Sequence, residues 1–549
     1  MIEPRLTLPG VEVYIGDALE TVKRLAERCP HKVSAVITSP PYLWKRNYGT
    51  GSWVGGDPSC KHQPPAWADD PGSDGVGSGN GLSANAAKWL QRTGGVCPTC
   101  GARYVDRQIG SESNPQEFIV KLVDLFCAIG DTLLRPDGSL WVNLGDTWSG
   151  SGGAGGDYNE GGLREGQPKW KPGKSSIPRK SLTAIPERFL IAMIDRGWIC
   201  RNKPIWFKGK DATDRPDDSE TVALTSNGMP ISAEDRLKET WEQWYHFVRS
   251  NKPVRWVHQQ TCKVVTKKPR QEYEPVLDEA GNQVYLPNGK PKQRPLWVSE
   301  DYFYNLDEIR EPMVKGLSGS TYTEGKTGVN GLGRTSQAER IDNPLGRNPG
   351  DLWFVPLSPF PLAHFACYPP GICEIPAKAT IPQAICKRCG CPRQAVYAVS
   401  REYRGGSGRA GRQPGEIGGK NLDPGLAGQV RANHDLRMGP VLVGHIIGYT
   451  DCGCGAGYEG AIALDPFFGS GSTAQGVNEA VKPVTVDGDY CAPTTIGIDL
   501  DERNLSIIEA RLTGRARQKR KTDTKPYNGG LFALLEEAEA NDAAAAGKR

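Results

Sequence analysis

The stretch "GVEVYIGDALETVKRLAERCPHKVSAVITSPPY", residues 10 to 42, decides the fold. Val11, Val13 and Ile15 alternate as in a half-buried strand, Leu19, Val22 and Leu25 recur at helical spacing, and Val33 to Ile37 form a second apolar run. Strand, helix and strand with short joins make a βα unit of a parallel sheet. "NPQEFIVKLVDLFCAIGDTLLRPDGSLWVNLGD" repeats the pattern: an amphipathic helix, a Pro-Asp-Gly turn, then the apolar run Leu140 to Leu144. A third unit runs from a helix near Pro186 to Ile194 into "WICRNKPIWFK". Late in the chain, "GAIALDPFFGSGSTAQGVNEA" reads as strand, Gly-rich turn and helix, and "TTIGIDLDERNLSIIEARL" as strand, acid and helix. Alternating β and α elements predict a doubly wound α/β sheet with helices on both faces.

Long Gly-, Pro- and polar-rich pieces interrupt this alternation at 55 to 110, 146 to 180, 209 to 235, 250 to 297 and 313 to 350, and they read as insertions. At 549 residues the chain has room for a full core and such decorations. A composition of 38% hydrophobic and 24% charged residues excludes fibrous and wholly disordered classes. No apolar run approaches the ~20 residues that cross a bilayer, and the first 30 residues lack a leader pattern. The expectation is therefore an intracellular protein with no membrane partner. A formal charge of +4 is too small to signal nucleic acid by itself, so that argument rests on local clusters. Fifteen cysteines in a chain expected to stay in a reducing compartment point to metal ligation where they cluster.

The chemistry concentrates in two turns. In "ALDPFFGSGST" a strand ends on Asp465, and Gly469 and Gly471 let the backbone approach a ligand before a helix begins near Thr473. Such a turn alone equally describes a plain strand-to-helix connection. Some 30 residues on, "IGIDLD" places Asp499 at the next strand end, from which a carboxylate reaches ribose hydroxyls. The pair favours an adenosine-containing ligand. The third glycine of the dinucleotide fingerprint is missing, and S-adenosylmethionine fits better than NAD.

In "TSPPY", Pro40 and Pro41 fix two φ angles and remove two N–H donors. The carbonyls around Ser39 and Pro40 then form a rigid acceptor pair suited to an exocyclic amino group, and Tyr42 offers a flat face to an unstacked base. A simple Ser-Pro-Pro turn with a packed tyrosine is the competing account.

Together "TSPPY" and "LDPFFGSGS" resemble the two signature motifs of S-adenosylmethionine-dependent amino-group DNA methyltransferases, which modify cytosine N4 or adenine N6. The catalytic motif precedes the cofactor motif, as in the circularly permuted β class with its Rossmann-like sheet. "YIGDALETVKRL", "LRPDGSLWVNLGDTW", "IPERFLIAMIDRGWICRNKPIWFK" and "HFACYPPGICEIPAKA" are similar to further elements of that family.

The resemblance implies catalytic roles for Ser39, Pro40, Pro41 and Tyr42. It implies cofactor contacts from Asp17, Thr38, Lys378, Asp465, Phe467, Gly469, Gly471, Thr473 and Asp499. Methyl transfer would be direct, with the flipped base on Tyr42 and its amino group donating to Ser39 and the Pro40 carbonyl. Serine before Pro-Pro-Tyr is more typical of cytosine-N4 enzymes, which makes N4 methylation of duplex DNA the expected activity and adenine N6 the alternative. An inactive zinc-bearing DNA-binding protein is a third reading, and methylation of protein or RNA a fourth.

Cys97 and Cys100 in "CPTC" have knuckle spacing, with Cys60 and His62 upstream to complete four ligands. Cys386 and Cys389 in "CKRC" form a second knuckle, completed by Cys452 and Cys454, with Cys391 as a substitute. Two fully ligated structural zinc ions are expected, bracing insertions too small for their own cores. Similar clusters occur in phage-like and actinobacterial methyltransferases of this type.

"RSNKPVRWVHQQTCKVVTKKPR", residues 249 to 270, holds seven Lys or Arg and no acid, with Trp256 and His258 interleaved. It reads as a DNA-contacting insertion through Arg249, Lys252, Arg255, Lys263, Lys267 and Lys268, or as a solvated basic face. The expected division is residues 1 to 208 as the catalytic half, with the zinc-knuckle insertion at about 55 to 110 and a Gly-rich loop at about 146 to 180. Residues 209 to 350 hold insertions and the target-recognition region, 351 to 385 the methionine-end cofactor element, and 386 to 460 the second cysteine cluster. Residues 461 to 514 form the cofactor half and 515 to 549 a flexible tail. The setting implied is the cytoplasm of a bacterial or phage-infected cell. Nothing resembles a second catalytic centre, so a companion restriction nuclease would be a separate chain.

Overall fold

The computed structural model describes residues 2–45, 50–60, 95–150, 177–209, 234–276, 282–286, 288–311, 347–357, 368–403 and 440–514. Ten strands form one sheet: β1 (Leu6–Leu8), β2 (Val11–Ile15), β3 (Val33–Thr38), β4 (Leu134–Leu144), β5 (Ile199–Asn202), β6 (Ile205–Phe207), β7 (Trp241–Val248), β8 (Leu352–Phe354), β9 (Ile462–Asp465) and β10 (Thr494–Asp499). Their order is β1-β2-β10-β9-β3-β4-β7-β6-β8, and β5 also pairs with β7. The inner five, β2, β10, β9, β3 and β4, are parallel, whereas β7 runs antiparallel to β4, β5 and β6.

Among the described residues six helices cover the sheet: α1 (Ala18–Arg28), α2 (Pro115–Thr132), α3 (Ile185–Asp195), α4 (Glu374–Thr380), α5 (Ser472–Ala480) and α6 (Asn504–Leu512). The strands show which face each covers, because successive side chains point to opposite sides. Val33 and Val36 of β3, Leu140 and Val142 of β4 and Tyr245 of β7 share a core with Leu25 of α1, Phe118 of α2 and Phe189 of α3. Ala35 and Ile37, Trp141 and Trp244 of the same strands pack instead with Ala377 of α4 and Val477 of α5. Val11 and Val13 of β2 meet Ala474 of α5 and Ile508 of α6. This is the expected doubly wound arrangement. Each large apolar side chain so buried contributes roughly 1.5–3 kcal/mol.

Local chemistry starts these helices where the sequence places them. Asp17 caps α1 by accepting from the Glu20 amide at 3.0 Å, and Asn114 caps α2 by accepting from Glu117 at 3.0 Å, just ahead of Pro115. Asp146 accepts from the Ala184 and Ile185 amides at 3.0 and 3.2 Å, so the end of β4 is tied to the start of α3.

Two expectations change. The Pro136-Asp137-Gly138 turn is not a break before β4; it bulges out within it, since Val33 pairs with Leu134 but Ala35 already pairs with Ser139. The interval 209 to 350, expected to hold insertions and the target-recognition region, also supplies β7, an interior strand of the main sheet. Part of 250 to 297 is ordered as well: Arg255–His258 pairs with Val264–Val265 and Trp297–Glu300 in a small antiparallel sheet. The tail from 515, His62 and most of the Gly-rich loop lie outside the described residues. Among the described residues no helix is long and apolar enough to cross a membrane.

Candidate active site

The connections leaving β9 and β3 diverge: β9 leads through α5 to β10 on one side, and β3 leads through α2 to β4 on the other. In an open α/β sheet such a switch point leaves a crevice at the carboxyl ends of the strands, where ligands bind. The two signature turns emerge there side by side. Thr38, at the end of β3, donates through Oγ1 to Asp465 Oδ1 at 2.5 Å, pinning the two strand ends together.

A cavity of about 490 Å³ opens above this junction. At one end it is lined by Gly16, Asp17, Phe467, Gly469, Asp499 and Asn504; at the other by Ser39, Pro40, Pro41, Tyr42, Asn143 and Glu242. The sequence-derived cofactor and catalytic residues Asp17, Phe467, Gly469, Asp499 and Ser39 to Tyr42 are thus walls of one space.

Asp499 is 8% exposed. Its Oδ2 accepts from the Gly469 amide at 2.7 Å, and Oδ1 accepts from the Asp501 amide at 2.7 Å and from Asn504 Nδ2 at 3.2 Å. Burial outweighs these donors and pushes its carboxyl up to about 7. Gly469 sits at φ +52° and Gly471 at +80°, left-handed conformations that suit glycine.

At the opposite end, the Tyr42 hydroxyl lies 2.8 Å from both Asn143 Oδ1 and Glu242 Oε2, and Ser39 Oγ donates to Asn143 Oδ1 at 3.1 Å. Asn143 is fixed in turn by donating from Nδ2 to the Gln243 carbonyl at 3.2 Å. Lys208 Nζ pairs with Glu242 at 2.5 Å. Burial and the Glu242 charge hold the Tyr42 phenol well above its ordinary range, so it remains a neutral donor. Its ring rests on Gly145, where a Cβ would come within 2.6 Å of it.

Five of the nine expected cofactor residues do not line the cavity. Asp465 is 1% exposed and has its oxygens occupied by Thr38, Thr473 and the Phe467 amide, so it joins strands rather than facing a ligand. Burial raises its carboxyl to about 6. Thr38 and Thr473 belong to that same pin, and Gly471 precedes α5 behind it. Lys378 pairs with Glu374 along α4 at 2.6 Å.

The comparisons agree with this geometry. A family model described as DNA methylase, of the N6/N4 type, matches residues 33–510. The chain belongs to that DNA methylase family. Among curated relatives, the Type II methyltransferase M.SfiI of Streptomyces fimbriatus is 23% identical over 477 residues, covering 75% of this chain and 87% of that protein. M.SmaI of Serratia marcescens is 26% identical over 226 residues, with 40% of this methylase and 57% of the relative aligned. The solved PvuII DNA methyltransferase (cytosine-N4-specific) aligns with 12% identity, 94% of this chain and 95% of that one, at a TM-score of 0.36. At that score the fold assignment rests on strand order and the family match.

Outside the cavity, the methylase brings two cysteine groups together. The sulfurs of Cys386, Cys389, Cys452 and Cys454 all lie within 4.8 Å of one another, as do those of Cys60, Cys97 and Cys100. Cys391 is buried beside the first group but not part of it. The two groups have the softness and spacing of zinc ligands. In the smaller, the turn is closed by the Gly101 amide donating to the Cys97 carbonyl at 2.8 Å, and a Cβ on Gly56 would lie 2.7 Å from Cys100 Sγ.

The expected DNA contacts divide. Lys252, Lys263, Lys267 and Lys268 are exposed. Arg255 is not available to a phosphate: it is 4% exposed and bridges Asp137 and Glu300 at 2.5 Å each. Asp137 also takes Arg135 at 2.8 Å, and although burial works against its ionisation the two guanidiniums hold its carboxyl below the usual range. Arg249 pairs with Asp131 and lies over Trp198 at 4.9 Å. His258 is 4% exposed and packs edge-on to Trp297, so it is a core residue of the small sheet.

Sequence reasoning missed Asn143, Lys208 and Glu242. Asn143 and Glu242 lie on neighbouring antiparallel strands, a pairing invisible until β7 is placed, although "WVNL" and "WEQWYHFV" each show a polar residue inside an apolar run.

Proposed function

We propose that this methylase transfers a methyl group from S-adenosylmethionine to N4 of cytosine in duplex DNA, after the base is flipped out of the stack. The observation that carries this reading is the single cavity running from Asp499 to Tyr42. Its first end fits an adenosyl group: Asp499 presents a buried carboxylate with lone pairs left for a ribose diol, and Phe467, Ile498 and Leu500 offer apolar surface to an adenine. S-adenosylmethionine, when bound, supplies an electrophilic methyl on a sulfonium sulfur.

The other end fits the base. Ser39 Oγ, its proton directed to Asn143, keeps lone pairs for an amino N–H, and the Pro40 carbonyl is the second acceptor. Stacking falls to the Tyr42 ring, held at its hydroxyl by Asn143 and Glu242 and from behind by Gly145. Serine ahead of Pro-Pro-Tyr supports cytosine over adenine. The relatives' designation as Type II methyltransferases supports a restriction-modification role in a bacterial cytoplasm; any companion nuclease would be a separate chain. Two structural zinc ions complete the reading: one on Cys386, Cys389, Cys452 and Cys454, the other on Cys60, Cys97, Cys100 and His62.

The test is expression in a host without other DNA modification, followed by nucleoside mass spectrometry of its plasmid. N4-methylcytosine that disappears with Tyr42→Ala is expected. N6-methyladenine in its place overturns the base assignment, and unmodified DNA from soluble, cofactor-binding protein overturns the activity.

A further inference from the structure

The four-cysteine group and the basic segment, far apart in sequence, are one structural unit. Cys386 and Cys389 flank a tight turn, closed by Gly390 N–H donating to the Cys386 carbonyl at 2.8 Å. Cys452 and Cys454 follow directly on Asp451, whose backbone reaches the basic hairpin in both directions. Its amide donates to the Cys262 carbonyl at 2.9 Å, and its carbonyl accepts from Val264 at 2.7 Å. Beneath these bonds Val257 and Val264 of the hairpin pack with Cys391 and Cys452.

Those four side chains are a small core with which to hold the hairpin against the cysteine loops. A tetrathiolate metal site is not preformed in the unfolded chain, so the free energy of metal binding becomes folding energy. The unit is also anchored to the catalytic sheet. Gln394 Nε2 donates to Glu300 at 3.0 Å, Glu300 pairs with Arg255, and Arg135 of the β4 bulge donates to the Gly390 carbonyl.

On the outside of this braced hairpin stand Lys263, Lys267, Lys268 and Arg270, all exposed. The nearby acids are engaged elsewhere: Glu274 with Arg294 and Gln260, Glu272 with the Trp297 indole, and Glu300 with Arg255.

We infer that a zinc-class divalent cation held by Cys386, Cys389, Cys452 and Cys454 locks the basic hairpin onto the catalytic sheet, where its lysines clamp the phosphate backbone of duplex DNA. The inference rests on the methylase acting on DNA. Binding the cation displaces the thiol protons to solvent, and no other covalent change is involved.

The experiment uses full-length protein with a non-cognate duplex and no cofactor, measuring anisotropy from 50 to 200 mM salt and zinc content by elemental mass spectrometry. Each phosphate contact contributes about 0.9 to the slope of log K against log salt. Replacing Lys263, Lys267 and Lys268 with alanine is expected to flatten the slope by about 3. Cys452→Ser with Cys454→Ser is expected to remove one zinc and flatten the slope similarly, leaving S-adenosylmethionine affinity within twofold. If that variant is insoluble, wild-type protein stripped by a chelator and reloaded with zinc replaces it, and the slope must fall and return. A wild-type slope in the lysine variant, a metal-free variant with undiminished slope, or no zinc uptake by reduced protein would each overturn the inference. Slope changes as expected with no DNA methylation would overturn the proposed activity and leave this inference standing.

Discussion

Asp499 offers the sharpest test of the cofactor end. Moving a carboxyl from 3.8 to about 7 corresponds to about 4 kcal/mol of disfavoured ionisation. Yet a ribose diol donates hydrogen bonds, so it requires the ionised form. Cofactor binding should therefore weaken as pH falls through about 7. With one proton linked, the apparent affinity drops about tenfold at pH 6 and about thirtyfold at pH 5.5, relative to pH 8.5. Asp499→Asn should lose this dependence and bind roughly 10- to 100-fold more weakly at pH 8.5, the cost of one charge-assisted hydrogen bond. Calorimetric titration of both proteins with S-adenosylmethionine from pH 5.5 to 8.5 reads the difference, and the ligand's own titration cancels between them. The sign reverses for the empty protein. Its folded state holds the Asp499 proton more tightly than the unfolded chain, so stability declines as pH rises from about 4 to about 7. The asparagine variant should accordingly melt higher than wild type at pH 8 and like it at pH 5. A pH-independent wild-type affinity, or the same slope in both proteins, would refute the placement of the ribose on Asp499.

Tyr42→Phe keeps the ring and loses its hydroxyl contacts with Asn143 and Glu242, so methylation should survive with kcat/KM reduced about tenfold, whereas Tyr42→Ala should lose a stacking contribution of about 1–3 kcal/mol and nearly all turnover. Thr38→Val strips a buried donor from Asp465 and should lower stability by about 1–3 kcal/mol in urea unfolding, without touching any cavity-lining group. Asp137→Ala leaves Arg255 with Glu300 alone in a buried setting; a loss of about 3–5 kcal/mol is expected by the same assay. Gly145→Ala places a methyl against the Tyr42 ring and should impair methylation far more than folding, read as activity against melting temperature.

The parallel half of the sheet was legible because β3, β9 and β10 are buried on both faces and read as short apolar runs ended by a turn, while β2 shows the alternation of a half-buried strand. The site followed from it, since Ser39 comes directly after β3 and Gly469 lies in the turn that follows β9. What escaped was side-to-side placement. β7 is flanked by insertions and runs antiparallel, so no local period announces that Trp244 will stand opposite Asn143 and that Glu242, two residues earlier, will reach Tyr42. Arg255 was misjudged for a related reason: a run of cations looks like surface until its partners, Asp137 and Glu300, arrive from distant segments. Asp465 was recognised as part of a ligand turn, but its neighbours Thr38 and Thr473 consume its acceptors.

The order in which the sheet is threaded has a consequence for synthesis. β9 and β10 slot between β2 and β3, with Val11 facing Thr495 and Val36 facing Leu464. Until those late strands leave the ribosome, the nascent chain carries two unpaired sheet edges, a gap two strands wide and no floor for the donor pocket. A prematurely terminated product would therefore be both sticky and inert, and the host genome would meet the enzyme only once its central seam had closed.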